Sequence, residues 1–318
     1  MIEVSHLSRF YGDHRAVDDV SFTIASNTIV GFLGLNGAGK TTTLKVIAGL
    51  LPPSAGTVQV DGEDLASAPE SFRKRIGFLP ETPPLYVEQT VREFLHFVGR
   101  LRGMSSAALK ARLPDVMNRC QLHGREDWVI GQLSHGYRKR VGIAQAIIHQ
   151  PKLVILDEPI SGLDPVQIVE MRKVIRGLAE ECTVLVSSHI LSEIEQTCDR
   201  VLVLQRGKLV FGGTADELRG QSDSTTANLS VQMVVRGDAE AATQLLSELE
   251  GVSAVSVVKD DAPLVALQVS LTDDIIENLA AAIVGAGMGL RSIQSEEEEL
   301  EDVFVSLTRG AAKRGGDA

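Results

Sequence analysis

Cysteine is scarce in this 318-residue chain: Cys120, Cys182 and Cys198 are all there is. They are odd in number, far apart and form no CxxC pair. Neither a disulfide framework nor a zinc site is expected, which leaves buried or incidental thiols. Long apolar runs are missing as well. The longest weakly polar stretch, residues 279–290, is twelve residues with three glycines, whereas a helix needs roughly twenty apolar residues to cross hydrocarbon. The start, Met1 to His6, has neither the basic region nor the apolar core of a secretion signal, so a cytoplasmic location is expected. A basic excess is also absent. Net charge is −11, with 26 acidic and 25 basic residues up to Ala227 but 16 against 6 beyond it. Binding a polyanion requires a basic face, so nucleic acid is not expected as the main partner.

What is present suits two domains, since the length exceeds that of one ordinary core. Residues 28–33 form an apolar, β-branched run ending at Gly34, and residues 41–50 read as a helix. Runs 153–156 and 183–186 read as strands buried on both faces. Between them, residues 165–179 place Ile168, Met171, Ile175 and Leu178 on one side of a helix. Strand, helix, strand predicts a parallel α/β core. Residues 82–150 have a mostly helical character, with Thr90 and Glu93 offering a capping box, and are read as a helical insertion. Residues 221–226 are polar throughout and read as a linker. Beyond them come strand 229–235, helix 239–249, strands 252–258 and 264–269, helix 274–283 and strand 290–294, a βαββαβ order that predicts a ferredoxin-like α+β domain. A terminal helix is expected over 298–308, with Leu300, Phe304 and Leu307 on one face. The acidic run 296–299 reads as a solvated helix start favoured by the dipole. The resulting division is a first domain at 1–220 with its helical part at about 82–150, a linker at 221–227, an accessory domain at 228–309 and a flexible tail at 310–318.

The chemistry is concentrated at the ends of the core strands. Gly34, Gly39, Lys40 and Thr41 satisfy GxxxxGK[ST] in full. The glycines let successive backbone N–H groups turn toward phosphate oxygens, and the following helix directs its positive end at the anion. Lys40 would neutralise the β- and γ-phosphates and Thr41 would ligate Mg²⁺, with Asn36, Gly37, Ala38, Gly39 and Thr42 completing the cradle. The run 153–156 ends in Asp157 and Glu158, where ligands bind in open α/β sheets. Asp157 would hold Mg²⁺ through water, and Glu158 would orient and deprotonate the attacking water. His189, after the run 183–186, would contact the γ-phosphate or that water. Each feature alone has a plainer reading: a glycine turn, a solvated acidic turn, a satisfied structural histidine.

Leu133, Ser134, His135, Gly136 and Tyr137 go beyond any generic phosphate-loop enzyme. Here the sequence resembles the ATP-binding cassette (ABC) ATPases, over roughly residues 2–220 and in the family's order. That resemblance implies a P-loop ABC-type nucleotide-binding domain, ATP and Mg²⁺ as cofactors, and ATP hydrolysis. It also implies head-to-tail closure of two copies, in which Ser134 and Gly136 of one chain cap the γ-phosphate on the phosphate loop of the other. Tyr11 would stack on adenine, and Asp164 would lie at the dimer seam. Three positions depart from the pattern: His135 stands for a glycine, Tyr137 for a glutamine, and Glu81 for the glutamine that reaches Mg²⁺. Within the family, residues 133–145, 162–167 and 301–304 look like exporter-type subunits, especially those named for bacterial gliding motility. The expectation is a transport ATPase, peripheral on the inner face of the membrane and powering a separate permease. The alternative is a non-transport ABC ATPase acting on ribosomes or DNA. Such relatives carry paired ATPase domains or a long coiled-coil insertion, neither of which is seen here. For the accessory domain, a dimer-packing appendage and a ligand sensor both stay open.

Overall fold

The computed structural model describes residues 1–219, 229–273 and 275–296. The expected linker, terminal helix, tail, acidic run beyond Glu296 and residues 301–304 lie outside them. Contacts divide the chain into two compact units, Met1–Ala215 and Asp216–Ala318.

The first unit opens with long antiparallel strands β1 (Ile2–Tyr11) and β2 (His14–Ile24). Next come β3 (Ile29–Leu33), α1 (Lys40–Ile47), β4 (Ala55–Val60), β5 (Glu63–Asp64), α2 (Pro69–Lys74) and β6 (Ile76–Leu79). Helices α3 (Val91–Leu101), α4 (Ser106–Arg119) and α5 (His135–Ile147) form the helical insertion. The unit finishes with β7 (Leu153–Asp157), α6 (Pro165–Leu178), β8 (Thr183–Ser188), α7 (Leu191–Glu195), β9 (Arg200–Gln205) and β10 (Lys208–Gly213), and α8 (Ala215–Arg219) starts on its last residue and continues into the second unit.

Two sheets result. β2, β1, β4 and β5 make one in that order; β10, β9, β3, β8, β7 and β6 make the other. The second is parallel except at β10. Every residue of β3, β7 and β8 is buried, the pattern of strands covered on both faces. One apolar core joins the two sheets: Ile2, Val4, Val58 and Val60 of the first pack with Val30, Phe32, Ile155 and Leu185 of the second. The Thr90 hydroxyl accepts the Glu93 N–H while the Glu93 carboxylate accepts the Thr90 N–H, so α3 starts on the expected reciprocal cap. α1 stops at Ile47, short of the expected residue 50, because the chain turns at Ala48 into left-handed Gly49 at φ 68°.

The second unit follows the expected order: β11 (Leu229–Arg236), α9 (Ala239–Ser247), β12 (Val252–Asp261), β13 (Leu264–Leu271), α10 (Ile276–Gly285) and β14 (Gly289–Glu296). Its sheet runs β12, β13, β11, β14, antiparallel throughout. β13 alternates strictly between buried and partly exposed residues. Its inward set, Val265, Leu267, Val269 and Leu271, packs with Val231, Met233 and Val235 of β11, Ala242 and Leu246 of α9, and Leu279 and Ile283 of α10.

Candidate active site

Four adjacent parallel strands aim their C-terminal ends at one place. β3 lies beside β8, β8 beside β7, and β7 beside β6, with Leu33 opposite Ser188, Asp157 opposite Ser187, and Leu79 opposite Leu156. The chain leaving each strand carries the phosphate loop, His189, the Asp157–Glu158 pair and Glu81 respectively. A cavity of about 380 Å³ opens there, lined among others by Tyr11, Asn36, Gly37, Gly39, Lys40, Thr41, Thr42, Glu81, Glu158 and His189. Leu35 of the phosphate loop and Ser161 line it as well, as do His14 and Ala16, which no sequence motif marks. Ser161 follows the acidic pair by three residues, whereas His14 pairs with Tyr11 across β2 and β1, and the Ala16 carbonyl lies against Gly39.

The loop's glycines have physical reasons. A Cβ on Gly34 would lie 2.6 Å from the Leu204 carbonyl oxygen. At Gly39 the backbone is left-handed, φ 101°, and a Cβ would meet the Ala16 carbonyl oxygen at 2.3 Å. Gly39 starts α1 with no side-chain cap, so N–H groups of its first turn keep donors for an anion. Ala38 is buried behind the loop and does not line the cavity.

Lys40 is buried, and its Nζ donates to the Gly34 carbonyl at 2.6 Å and lies 3.8 Å from Glu158 Oε1. Burial pulls its pKa down, while Glu158, Asp157 and Glu81 oppose the fall. Glu158 is pushed the other way. Burial raises its carboxyl above the ordinary value, and His189, then Lys40, work against that rise. His189 Nδ1 sits 3.0 Å from Glu158 Oε2, so the imidazole is placed on the acid itself. Glu158 also holds a left-handed backbone at φ 49°, a conformation that persists in a non-glycine residue only where neighbours enforce it. Ser187 is one enforcer: its hydroxyl accepts the Glu158 N–H at 2.9 Å and donates to Asp157 Oδ1 at 2.6 Å. Asp157 is thereby buried beneath the cavity and does not line it.

Besides Ala38 and Asp157, three more expected site residues lie outside this cavity. Ser134 caps α5, its hydroxyl accepting the Tyr137 N–H at 3.4 Å. Gly136 presses against α6, where a Cβ would lie 2.6 Å from Gln167 Oε1. Asp164 caps α6 by accepting the Gln167 N–H at 2.9 Å, the ordinary task of Asp before a helix-starting proline. Tyr11 is 46% exposed, with the Arg9 guanidinium 4.9 Å from its ring centre. Tyr137 is held between Arg125 and Arg140, 4.0 and 5.2 Å from its ring centre.

The family profile described as ABC transporter matches residues 17–161, from β2 to just past Glu158. The ABC transporter ATP-binding protein YxlF of Bacillus subtilis is 36% identical over 308 residues, 96% of this chain and 99% of that one. The chain belongs to the ABC transporter ATP-binding proteins. Another member, the bacitracin transport ATP-binding protein BcrA of Bacillus licheniformis, is 34% identical and aligns over 98% of both chains. A solved ABC transporter ATP-binding subunit superposes with a TM-score of 0.63 at 36% identity, covering 70% of this chain and 93% of its own. The chain is thus the ATP-binding, ATP-hydrolysing subunit of an ABC transporter. ABC subunits of this kind work with membrane permease components. Among the described residues no helix is long and apolar enough to cross a membrane.

Proposed function

We propose that this ABC ATPase hydrolyses ATP between two copies of itself, closed head to tail, and so drives export through a separate permease. The observation that carries the dimer is a separation. Lys40, Glu158 and His189 share one cavity, while Ser134 and Gly136, at the start of α5, do not line it. A helix N-terminus attracts anions. Two copies facing each other give each triphosphate a phosphate loop from one chain and an α5 start from the other. Asp164, at the start of α6 against which Gly136 packs, then falls at the seam.

Within one site, Tyr11 stacks on adenine, and Asn36, Gly37, Ala38, Gly39 and Thr42 cradle the phosphates. Lys40 leaves the Gly34 carbonyl for the β- and γ-oxygens. Glu158 takes the proton of the attacking water, its carboxyl raised by burial toward the range that suits a base, and His189 orients it. Thr41, Glu81 and Asp157 offer only oxygen donors, which suit Mg²⁺. That fits a cation held by one or two carboxylates and the nucleotide's phosphates. Bound there, the ion would neutralise charge on the β- and γ-phosphates.

Export is favoured by the likeness to BcrA over almost the full length of both chains. Neither relative described above carries a gliding-motility name, so export rests on BcrA instead. A cytoplasmic subunit held at the inner membrane face by its permease follows from that role. Residues 1–220 form the ATPase domain of this reading and 228–309 an accessory domain that packs the dimer. The test is Glu158→Gln. It should bind ATP normally, lose turnover at least about 100-fold and run as a dimer with ATP in light scattering. Wild-type turnover would remove Glu158 from the base role, and an ATP-loaded monomer would remove the dimer.

A further inference from the structure

Lys139 is the feature that the reading above leaves without a task. It lies in α5, and its side chain is 2% exposed, one of the largest fully buried side chains in the protein. A lysine is rarely buried unless its ammonium is satisfied. Here the Nζ donates to the main-chain oxygen of Glu81 at 2.6 Å and to that of Glu158 at 3.0 Å. The charges acting on it most strongly are Glu81, Glu158 and Asp157, the three carboxylates of the site.

Its helix cannot drift from this place. A Cβ on Gly77 of β6 would lie 2.1 Å from the Ala146 carbonyl oxygen of α5, and one on Gly142 of α5 would lie 2.5 Å from Leu79. α5 therefore packs closely on the strand that leads to Glu81. Glu158 is gripped on both sides of its left-handed residue: Ser187 accepts its N–H and Lys139 donates to its carbonyl.

We propose that Lys139 is a positioning residue for hydrolysis: its single buried ammonium clamps the main chain of Glu158 and of Glu81 to the helix that begins at Ser134. The α5 start, the base and the Glu81 segment then move as one piece, so a triphosphate engaged at Ser134 of one chain bears directly on that chain's own Glu158. The ammonium also offsets the gathering of three carboxylates. The role rests on Glu158 being the base.

The test compares Lys139→Met, which keeps the stem and removes charge and donors, with Lys139→Arg, which keeps both. With Mg²⁺ and ATP, Lys139→Met should keep its KM and its ATP affinity within about twofold. Its kcat should fall roughly 10- to 100-fold, the effect of misplacing a reacting group by about an ångström. Lys139→Arg should recover part of that loss. A wild-type kcat in Lys139→Met overturns the proposal, as does a loss shared equally by kcat, ATP affinity and melting temperature with no recovery in Lys139→Arg. Should Lys139→Met not fold, Lys139→Gln, which keeps a shorter, uncharged amide donor, is measured instead, and an unchanged kcat there overturns the proposal equally. Glu158→Gln separates the two ideas. If it is inactive while Lys139→Met turns over normally, only the clamp fails; if it is active, the base assignment fails.

Discussion

The two units bury different kinds of side chain. Among the described residues, every buried polar or charged side chain lies between Ser8 and Gln205, including Lys40, Lys139, Arg140 and Asp157. The buried set of the second unit, from Val231 to Ile283, is entirely apolar. Burying a charge is unfavourable unless it is paired and hydrogen-bonded. The first unit accepts that at the ends of its parallel strands, where fixed donors and acceptors can meet a nucleotide. The second stabilises itself by two-period alternation on an antiparallel sheet and carries no comparable charge. One unit is shaped by its chemistry and the other by packing.

The largest effect that separates them should come from the apolar unit. Leu267→Ala removes a fully buried side chain and should destabilise the second unit by about 2–5 kcal/mol, read as an early transition in calorimetry. Below that transition, ATP hydrolysis should stay within about twofold of wild type. A parallel collapse of hydrolysis would break the comparison. Next in size, Lys40→Ala should weaken ATP binding by roughly 10- to 100-fold, the range for a lost charged hydrogen bond, as read by titration calorimetry. Its melting temperature without nucleotide should drop less than that of Leu267→Ala. Tight ATP binding would show that the buried charge serves stability instead. The smallest effect concerns pH. Burial raises the Glu158 carboxyl and His189 is the first influence lowering it. The base form is lost as pH falls through that raised value, so the acid limb of kcat should lie above an ordinary carboxylate. Removing His189 removes a lowering influence, and His189→Ala should move the limb further up. A downward move would mean that His189 does not act on Glu158 as its 3.0 Å contact indicates.

Much of this was legible from local pattern. The buried runs of β3, β7 and β8, the reciprocal cap at Thr90 and Glu93, and the whole βαββαβ order depend on residues a few positions apart, where periodicity and capping act. α6 shows the limit in miniature: Met171, Ile175 and Leu178 are buried as spaced, but Val174 joins them while Ile168 stays half-buried. The β2-β1-β4-β5 sheet has no such local signature as a whole. Its central pairing, β1 with β4, joins Ile2 to Val60, nearly sixty residues away, and no local period reports a partner at that distance.

By itself, then, the amino-acid order determined which groups are on offer for the proposed chemistry: a phosphate-loop motif, an acidic pair after one buried strand, a histidine after another, and a serine-led helix start. Glycine freedom, side-chain charge and strand burial are properties of short segments. Only the tertiary structure decided that Ser134 and Gly136 lie outside the cavity, that Asp157 is tied down by Ser187, and that Lys139 reaches Glu81 and Glu158 together. Those outcomes depend on which strand ends lie side by side and on how closely α5 packs on β6. Such long-range geometry selects, among groups the sequence already supplies, those that can meet.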